Sequence, residues 1–395
     1  MTEHFKLLKS DHPAYWVVLI LLAVFSAVGY GAAHYMDVEG HWVTGMNNQI
    51  VWGLPHVFAI FLILSASGAL NIASMSSVFS QKDYKPWARA SGLLSICLLI
   101  GGLLILVLDL GRPERLIVAM THYNFKSIFA WNIFLYVGFL GLVVIYLWSM
   151  FEHGLNKYTG KAGLFAFSWR FVLTSGTGSI FGFLVARQFY DSAMMVPLFI
   201  VLSLILGTAL FILIMSVISQ WSGVSFSDAI VKKLSSLLIG FIALELFLVV
   251  VFHLTNLYVT EHHGVEYFIL FDGQQYTVLF WLGQVLLGGV LPLLYYFSTS
   301  REKTMPELVG LSLAVVVGGF SQLYVIIIGG QAYPLALFPG KTVSSTFFDG
   351  AIAHYVPRLP ELLLGVGGIA ISILLLILTM RVLPFLPDNR AHEAN

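Results

Sequence analysis

Charge and cysteine are what this sequence has least of. Only 10% of its 395 residues are Asp, Glu, Lys or Arg, while 58% are hydrophobic. A soluble domain of this size needs far more charge to cover its surface, so that class is excluded. The single cysteine, Cys97, sits inside an apolar run. It rules out an internal disulfide and any cluster held by several cysteines of this chain. The formal net charge is zero, and no nucleic-acid partner is expected. The first apolar run, from about Ala14, also lacks a small-residue cleavage pattern, so it reads as a retained helix and not a signal peptide.

What the sequence has instead is long apolar runs, with a mean hydropathy of +0.88. Most are long enough to cross about 30 Å of hydrocarbon as helices of about 20 residues. They do not alternate as barrel strands would, so the helix is the spanning element. Ten spans are expected, near 14–33, 51–75, 88–108, 128–150, 164–187, 193–219, 234–259, 277–298, 307–329 and 360–381. The fold class is therefore all-α, a polytopic membrane protein. Pro55 with Gly68-Ala69-Leu70 in the second span matches Pro197 with Thr208-Ala209-Leu210 in the sixth, and Trp131-Asn132 in the fourth matches Trp281 and Gln284 in the eighth. This faint repeat suggests two four-helix bundles, spans 2–5 and 6–9, flanked by spans 1 and 10. The expected division is 1–50 (first helix and outer loop), 51–190 (first bundle), 191–330 (second bundle) and 331–395 (outer loop, last helix and tail).

Lys and Arg give the orientation. Lys6, Lys9, Lys82, Lys85, Arg89, Lys157, Lys161, Lys232, Lys233, Arg301, Lys303, Arg381 and Arg390 fall on the side of the termini; only Arg112, Arg115, Lys126, Arg187, Lys341 and Arg358 fall on the other. Both termini are expected in the cytoplasm. The long outer loops 34–50 and 260–276 have no Lys or Arg and are aromatic and acidic, which suits capping or a protein partner better than lipid headgroups.

The third span runs into Asp109-Leu110-Gly111-Arg112-Pro113, where Gly and Pro end the helix and Asp109 becomes its last buried residue. His56 lies at similar depth on the adjacent second span. A His and an Asp facing one apolar pocket suit a quinone headgroup, since each can hydrogen-bond an oxygen and take a proton. Arg112 is placed to hold Asp109 ionised. Tyr123, Trp131 and Asn132, at the start of the fourth span, are further pocket candidates. The plainer alternative is an interfacial His bonded to a carbonyl and an Asp that only ends its helix. In the second half, Glu245, His253 and Asn256 share one face of the seventh span. Arg170 on the fifth is a candidate partner for Glu245, and Gln284 and Gln322 add amides. Together they form either a proton path or interhelical polar glue. A bis-histidine haem would have to use His56 and His253; none is expected, and no metal site is foreseen.

Asp109-Leu110-Gly111-Arg112-Pro113 resembles the signature of the NrfD/PsrC family of quinone-reactive membrane subunits. Trp52-Gly53-Leu54-Pro55-His56, Leu257-Tyr258-Val259-Thr260-Glu261-His262-His263-Gly264, Gly329-Gly330-Gln331-Ala332-Tyr333-Pro334 and Leu359-Pro360-Glu361 resemble its ten-helix branch, which includes DsrP and HybB. The resemblance covers nearly the whole chain. It implies a subunit of a respiratory complex that exchanges electrons between menaquinone or ubiquinone and an outward-facing iron–sulfur subunit, alongside further redox subunits, in the cytoplasmic membrane. It places Asp109 and Arg112 in the family motif and His56 at the matching position of this branch. It leaves Glu245 and His253 as candidates for a proton route. Ser65-Ala66-Ser67-Gly68 stands where some relatives have a further His, so their ligand set does not transfer. A passive anchor for a redox enzyme and a secondary transporter are the competing classes.

Overall fold

The computed structural model describes residues 5–9, 12–298, 301–335 and 350–388. Lys341 and Arg390, which count towards the orientation, and residues 336–349 of the last outer loop lie outside the described residues. Ten long helices run through the described residues: α1 (Pro13–Glu39), α2 (Leu54–Ser77), α3 (Ala88–Leu108), α4 (Ile128–Phe151), α5 (Thr159–Gly182), α6 (Met195–Ser222), α7 (Asp228–Tyr258), α8 (Gln275–Ser298), α9 (Met305–Ala332) and α10 (Leu359–Val382). Nine of them carry an apolar stretch long enough to cross a membrane. The tenth, α5, is as long but is diluted by Ser, Thr and Gly. The chain is an all-α polytopic membrane protein.

Burial separates the helices by role. The apolar stretch of α2 is entirely buried, whereas α1 leaves Trp16, Val17, Ile20, Leu21, Val24 and Phe25 exposed. A helix apolar all round and buried is an interior helix, and exposed apolar faces belong against lipid. α1 packs on α10, and α10 also covers α3. α2 packs on α3, α4 on α5, α8 on α9, and α6 on both α9 and α7.

The stretches read as matched in the second and sixth spans meet. A Cβ on Gly68 would lie 1.7 Å from the Ser203 carbonyl oxygen, and one on Gly207 would lie 2.0 Å from the Gly68 carbonyl carbon. Only glycine lets two helix backbones approach this closely. Two residues on, α2 is interrupted at Leu70. The interruption brings Asn71 against α6, where its amide donates to Thr208 Oγ1 (2.9 Å) and the Leu204 carbonyl (3.2 Å).

The first and last described segments lie side by side. Phe5–Lys6 pairs antiparallel with Leu386–Pro387. Asp109 is therefore at the opposite face, which also carries the loops 40–53, 109–127, 183–194 and 259–274. The loop 260–276, expected to cap the protein or meet a partner, is largely folded inward as short helical turns that bury His262, Val265, Glu266, Phe268 and Ile269.

Candidate functional site

α3 ends where its sequence runs out of helix formers. Asp109 is the last residue of near-helical backbone, and Arg112 (φ −147°, ψ 74°) leads into a one-turn helix begun by Pro113. Asp109 is left 6% exposed. His56 is two residues into α2, after a Pro55 that costs no hydrogen bond in the first turn. Its Nδ1 lies 3.1 Å from Asp109 Oδ2, in ion-pair contact but without the alignment of a hydrogen bond. His56 Nδ1 and both Asp109 oxygens are buried with no aligned hydrogen-bond partner. On the far side, His41 from the α1–α2 loop bonds the Asp109 carbonyl (Nε2···O 3.0 Å) and stands 3.7 Å from Oδ1.

Asp109 thus lies between two imidazoles. Burial acts to raise its carboxyl, but the contacts and charges of His41 and His56 outweigh burial and hold it below the ordinary carboxylate value. The Asp109 contact raises the His41 imidazole above the usual histidine value, against the lowering effect of burial. Arg112 does not have the role expected of it. It is exposed and makes no ion pair with Asp109, because the chain turns off the helix axis at Gly111 before the guanidinium.

His56 opens on a cavity of about 460 Å³, a size typical of small-molecule sites. Its walls are apolar side chains from α2, α3, α4 and α5 and from the short helix Leu116–Thr121, with Ile327 of α9. Polar atoms are few: Trp52, His56, Asn132 and Tyr136. Asn132 donates to the Ile128 (2.9 Å) and Gly176 (3.0 Å) carbonyls, which leaves its buried Oδ1 without a partner. The Tyr136 hydroxyl pairs with Thr177 Oγ1 at 3.2 Å. Leu110, Met120, Phe129 and Val137 belong to the wall and are also exposed, so the cavity opens sideways where lipid would lie. Tyr123 and Trp131 are not in the wall. They form an aromatic group with Phe125 and Phe134 beside it, and Trp131 Nε1 donates to the Phe125 carbonyl. Asp109 is not in the wall either; it stands behind His56.

The second set is also rearranged. Glu245 Oε1 accepts from Gln322 Nε2 (2.6 Å), while Oε2 is buried without a partner. A cavity of about 20 Å³, room for one water, lies among Glu245, Gln284 and Gln322. A smaller one shares Gln284 and Gln322 and reaches His253. His253 Nδ1 contacts Glu266 Oε2 (2.7 Å), and Glu266 Oε1 accepts from Asn256 (2.8 Å), which meets His262 at 3.2 Å. Arg170 is not the partner of Glu245. It donates to Asn71 Oδ1 and the Ser67 carbonyl and stacks on Phe171, holding the interruption in α2.

Sequence reasoning missed His41, Tyr136 and the site role of Glu266. Glu266 had a signal: it is a lone carboxylate in Gly-Val-Glu-Tyr-Phe-Ile-Leu-Phe, too apolar for a solvent loop. His41 had none, because its reach depends on where its loop folds.

Residues 42–335 match the family described as Polysulphide reductase, NrfD. The whole chain is 26% identical to the Hdr-like menaquinol oxidoreductase integral membrane subunit of Archaeoglobus fulgidus, covering 99% of that protein. It is 26% identical to a selenate reductase subunit of Mesobacillus selenatarsenatis, over 96% of each chain. It is 25% identical to the protein NrfD of Escherichia coli, over 72% of this chain and 96% of that one. The match runs from the loop that carries His41 through the cavity, the Asp109 corner and Glu245 to the end of α9, and the chain belongs to the NrfD family.

Proposed function

We propose that this chain is the quinone-reactive membrane subunit of a respiratory redox complex, and that the 460 Å³ cavity holds the quinone headgroup. The observation that carries the reading is one wall: a sideways-open apolar cavity meets the imidazole of His56, backed by the buried Asp109 carboxylate. The apolar walls suit a quinone ring and the start of its isoprenoid tail, and Asn132 Oδ1 is a second acceptor.

Oxidation of a quinol to the quinone releases two protons and two electrons. His56 accepts a proton at its ring. Asp109 stabilises the imidazolium that results and bridges to His41, whose side chain is 28% exposed. Each proton in turn leaves along His56, Asp109 and His41 to the Asp109 face. A carboxylate held below its ordinary value passes a proton on and does not keep it. The electrons go one at a time to a redox partner on that face, which we take from the family resemblance to be an iron–sulfur subunit. The Lys and Arg asymmetry and the adjacent first and last described segments support a cytoplasmic position for both termini and an outward Asp109 face. Menaquinol is named for the Archaeoglobus relative and is the quinone we favour over ubiquinone. His56 and His253 each face a carboxylate, which supports a subunit without haem of its own. The line from His262 through Asn256, Glu266 and His253 to Glu245 is, in our reading, a proton path, with Arg170 outside it.

The test is reduction of the partner's clusters by 2,3-dimethyl-1,4-naphthoquinol in the purified complex, wild type against His56→Ala. We expect the rate to collapse while the complex stays assembled. An unchanged rate moves the quinone elsewhere and leaves this chain an anchor.

A further inference from the structure

The Gly329-Gly330-Gln331-Ala332-Tyr333-Pro334 stretch has no part in the site so far, yet Gln331 is 2% exposed and its side-chain amide is fully used. Oε1 accepts from the backbone N–H groups of Val51 and Trp52, both at 3.0 Å. Nε2 donates to the Trp52 carbonyl (2.9 Å) and to Ile327 of its own helix (2.6 Å). A side chain of α9 therefore holds the backbone of Trp52 from both sides, just before α2 begins. Arg187 fastens the same place, with one nitrogen on the Gln331 carbonyl and another on that of Gln49, each at 2.7 Å. Tyr190 stacks along Trp52 at 6.4 Å and donates to the Ile327 carbonyl at 2.6 Å. Both Trp52 and Ile327 are cavity wall.

We propose that Gln331 is a positioning residue for the quinone pocket: it acts through Trp52, fixing the indole as the wall beside His56. This inference rests on the function proposed above. A helix of the second half thereby shapes a site built mainly by the first. A side-chain amide suits this task, since it offers an acceptor oxygen with two lone pairs and two N–H donors to one backbone segment. The substitution Gln331→Leu would leave two part-buried N–H groups and a part-buried carbonyl without their partner.

The experiment measures naphthoquinol KM and kcat, and binding of the menaquinol analogue 2-heptyl-4-hydroxyquinoline N-oxide by fluorescence quenching, in the intact complex. The variants are Gln331→Leu, Gln331→Glu and Trp52→Phe, with Gln331→Glu also made in the Trp52→Phe background. Gln331→Leu is expected to raise KM and the analogue Kd about tenfold, the scale of one or two lost hydrogen bonds, with kcat within about threefold. Gln331→Glu keeps the two accepted bonds and should show an intermediate effect. If Gln331 acts through Trp52, Gln331→Glu adds little once Trp52 is Phe. Unchanged Kd in Gln331→Glu and Gln331→Leu overturns the inference, as does full additivity with Trp52→Phe. If Gln331→Leu does not assemble, the Gln331→Glu pair still decides. His56→Ala separates the two levels: if it too leaves analogue binding and rate unchanged, the pocket reading has failed; if it alone weakens them, only the role of Gln331 has failed.

Discussion

Asp109→Asn removes a charge and almost no volume, so it isolates what the carboxylate contributes to the site. The Oδ2···Nδ1 separation is 3.1 Å. Two unit charges at that distance attract by about 5 kcal/mol at an effective dielectric of about 20. The His56 side chain is 26% exposed against 1% for Asp109, so water weakens the pair, and about 2–3 kcal/mol is the reasonable remainder. If that energy stabilises His56 as it takes the quinol proton, its loss slows turnover by about 30- to 150-fold. KM should change little, because Asp109 is behind His56 and out of the cavity wall. The assay is stopped-flow reduction of the partner's clusters by naphthoquinol, with assembly checked by size-exclusion chromatography. A rate within about threefold of wild type in the intact complex would refute the reasoning. Asp109 would then only end a helix, and the anchor reading would gain.

Three other outcomes are expected. The raised His41 and depressed Asp109 stabilise the fold over a defined window. The His41 contribution is complete below its ordinary value of 6.5 and is lost as pH rises through its higher folded value. That of Asp109 is present above its ordinary 3.8 and is lost as pH falls through its lower folded value. The melting-temperature gap between wild type and His41→Gln should therefore be widest between those two ordinary values and close towards alkaline pH; a gap that widens above neutrality contradicts the pairing. Glu245→Gln should leave naphthoquinol oxidation in detergent within about threefold and abolish any redox-driven proton uptake in proteoliposomes. Unaltered proton movement would remove Glu245 from the path. Gly207→Leu should prevent assembly or cost at least about 1–3 kcal/mol by overpacking. Gly240→Ala, whose added Cβ meets nothing within 4 Å, should be neutral or stabilising by up to about 1 kcal/mol. Equal melting temperatures for these two glycine variants would dismiss the crossing.

The sequence carried the helices and one half of each site, for physical reasons that differ. Span positions follow from the length of apolar runs, which is a local property, so the third span's end at Asp109 needed no tertiary information. The His56–Asp109 meeting also followed, since consecutive helices pack together and both residues sit near one face. Charge pairing did not. Arg112 is three residues from Asp109 in sequence, but the turn at Gly111 takes the pair apart, and His41 arrives from a loop 68 residues away. Opposite charge makes Arg170 a candidate partner for Glu245. Instead each found amide partners, Asn71 and Gln322, because helix packing sets which side chains share a level, and a neutral amide can bond a buried guanidinium or carboxyl without bringing in an opposite charge. The repeat rests in part on matching Gly68-Ala69-Leu70 with Thr208-Ala209-Leu210; small residues signal close approach, and the structure brings Gly68 against Gly207, beside Thr208.

That close approach bears on the transporter alternative. Alternating access requires one half to rock against the other about a site between them. Here the backbones of α2 and α6 meet so closely at Gly68 and Gly207 that even an added Cβ would clash, and Asn71 ties α2 to Thr208 of α6 beside it. Nearer the Asp109 face, Gln331 and Arg187 hold the loop before α2 to α9 and to the α5–α6 connection. Two bonded levels, at different depths along the same boundary, oppose rotation as well as translation. Contacts of this kind suit a site whose chemistry is electron and proton transfer, because small changes in distance or in hydrogen-bond length change both steeply. Along α9, Gln322, Ile327 and Gln331 touch Glu245, the 460 Å³ cavity and Trp52 in turn, so one helix links the two polar regions by direct contacts.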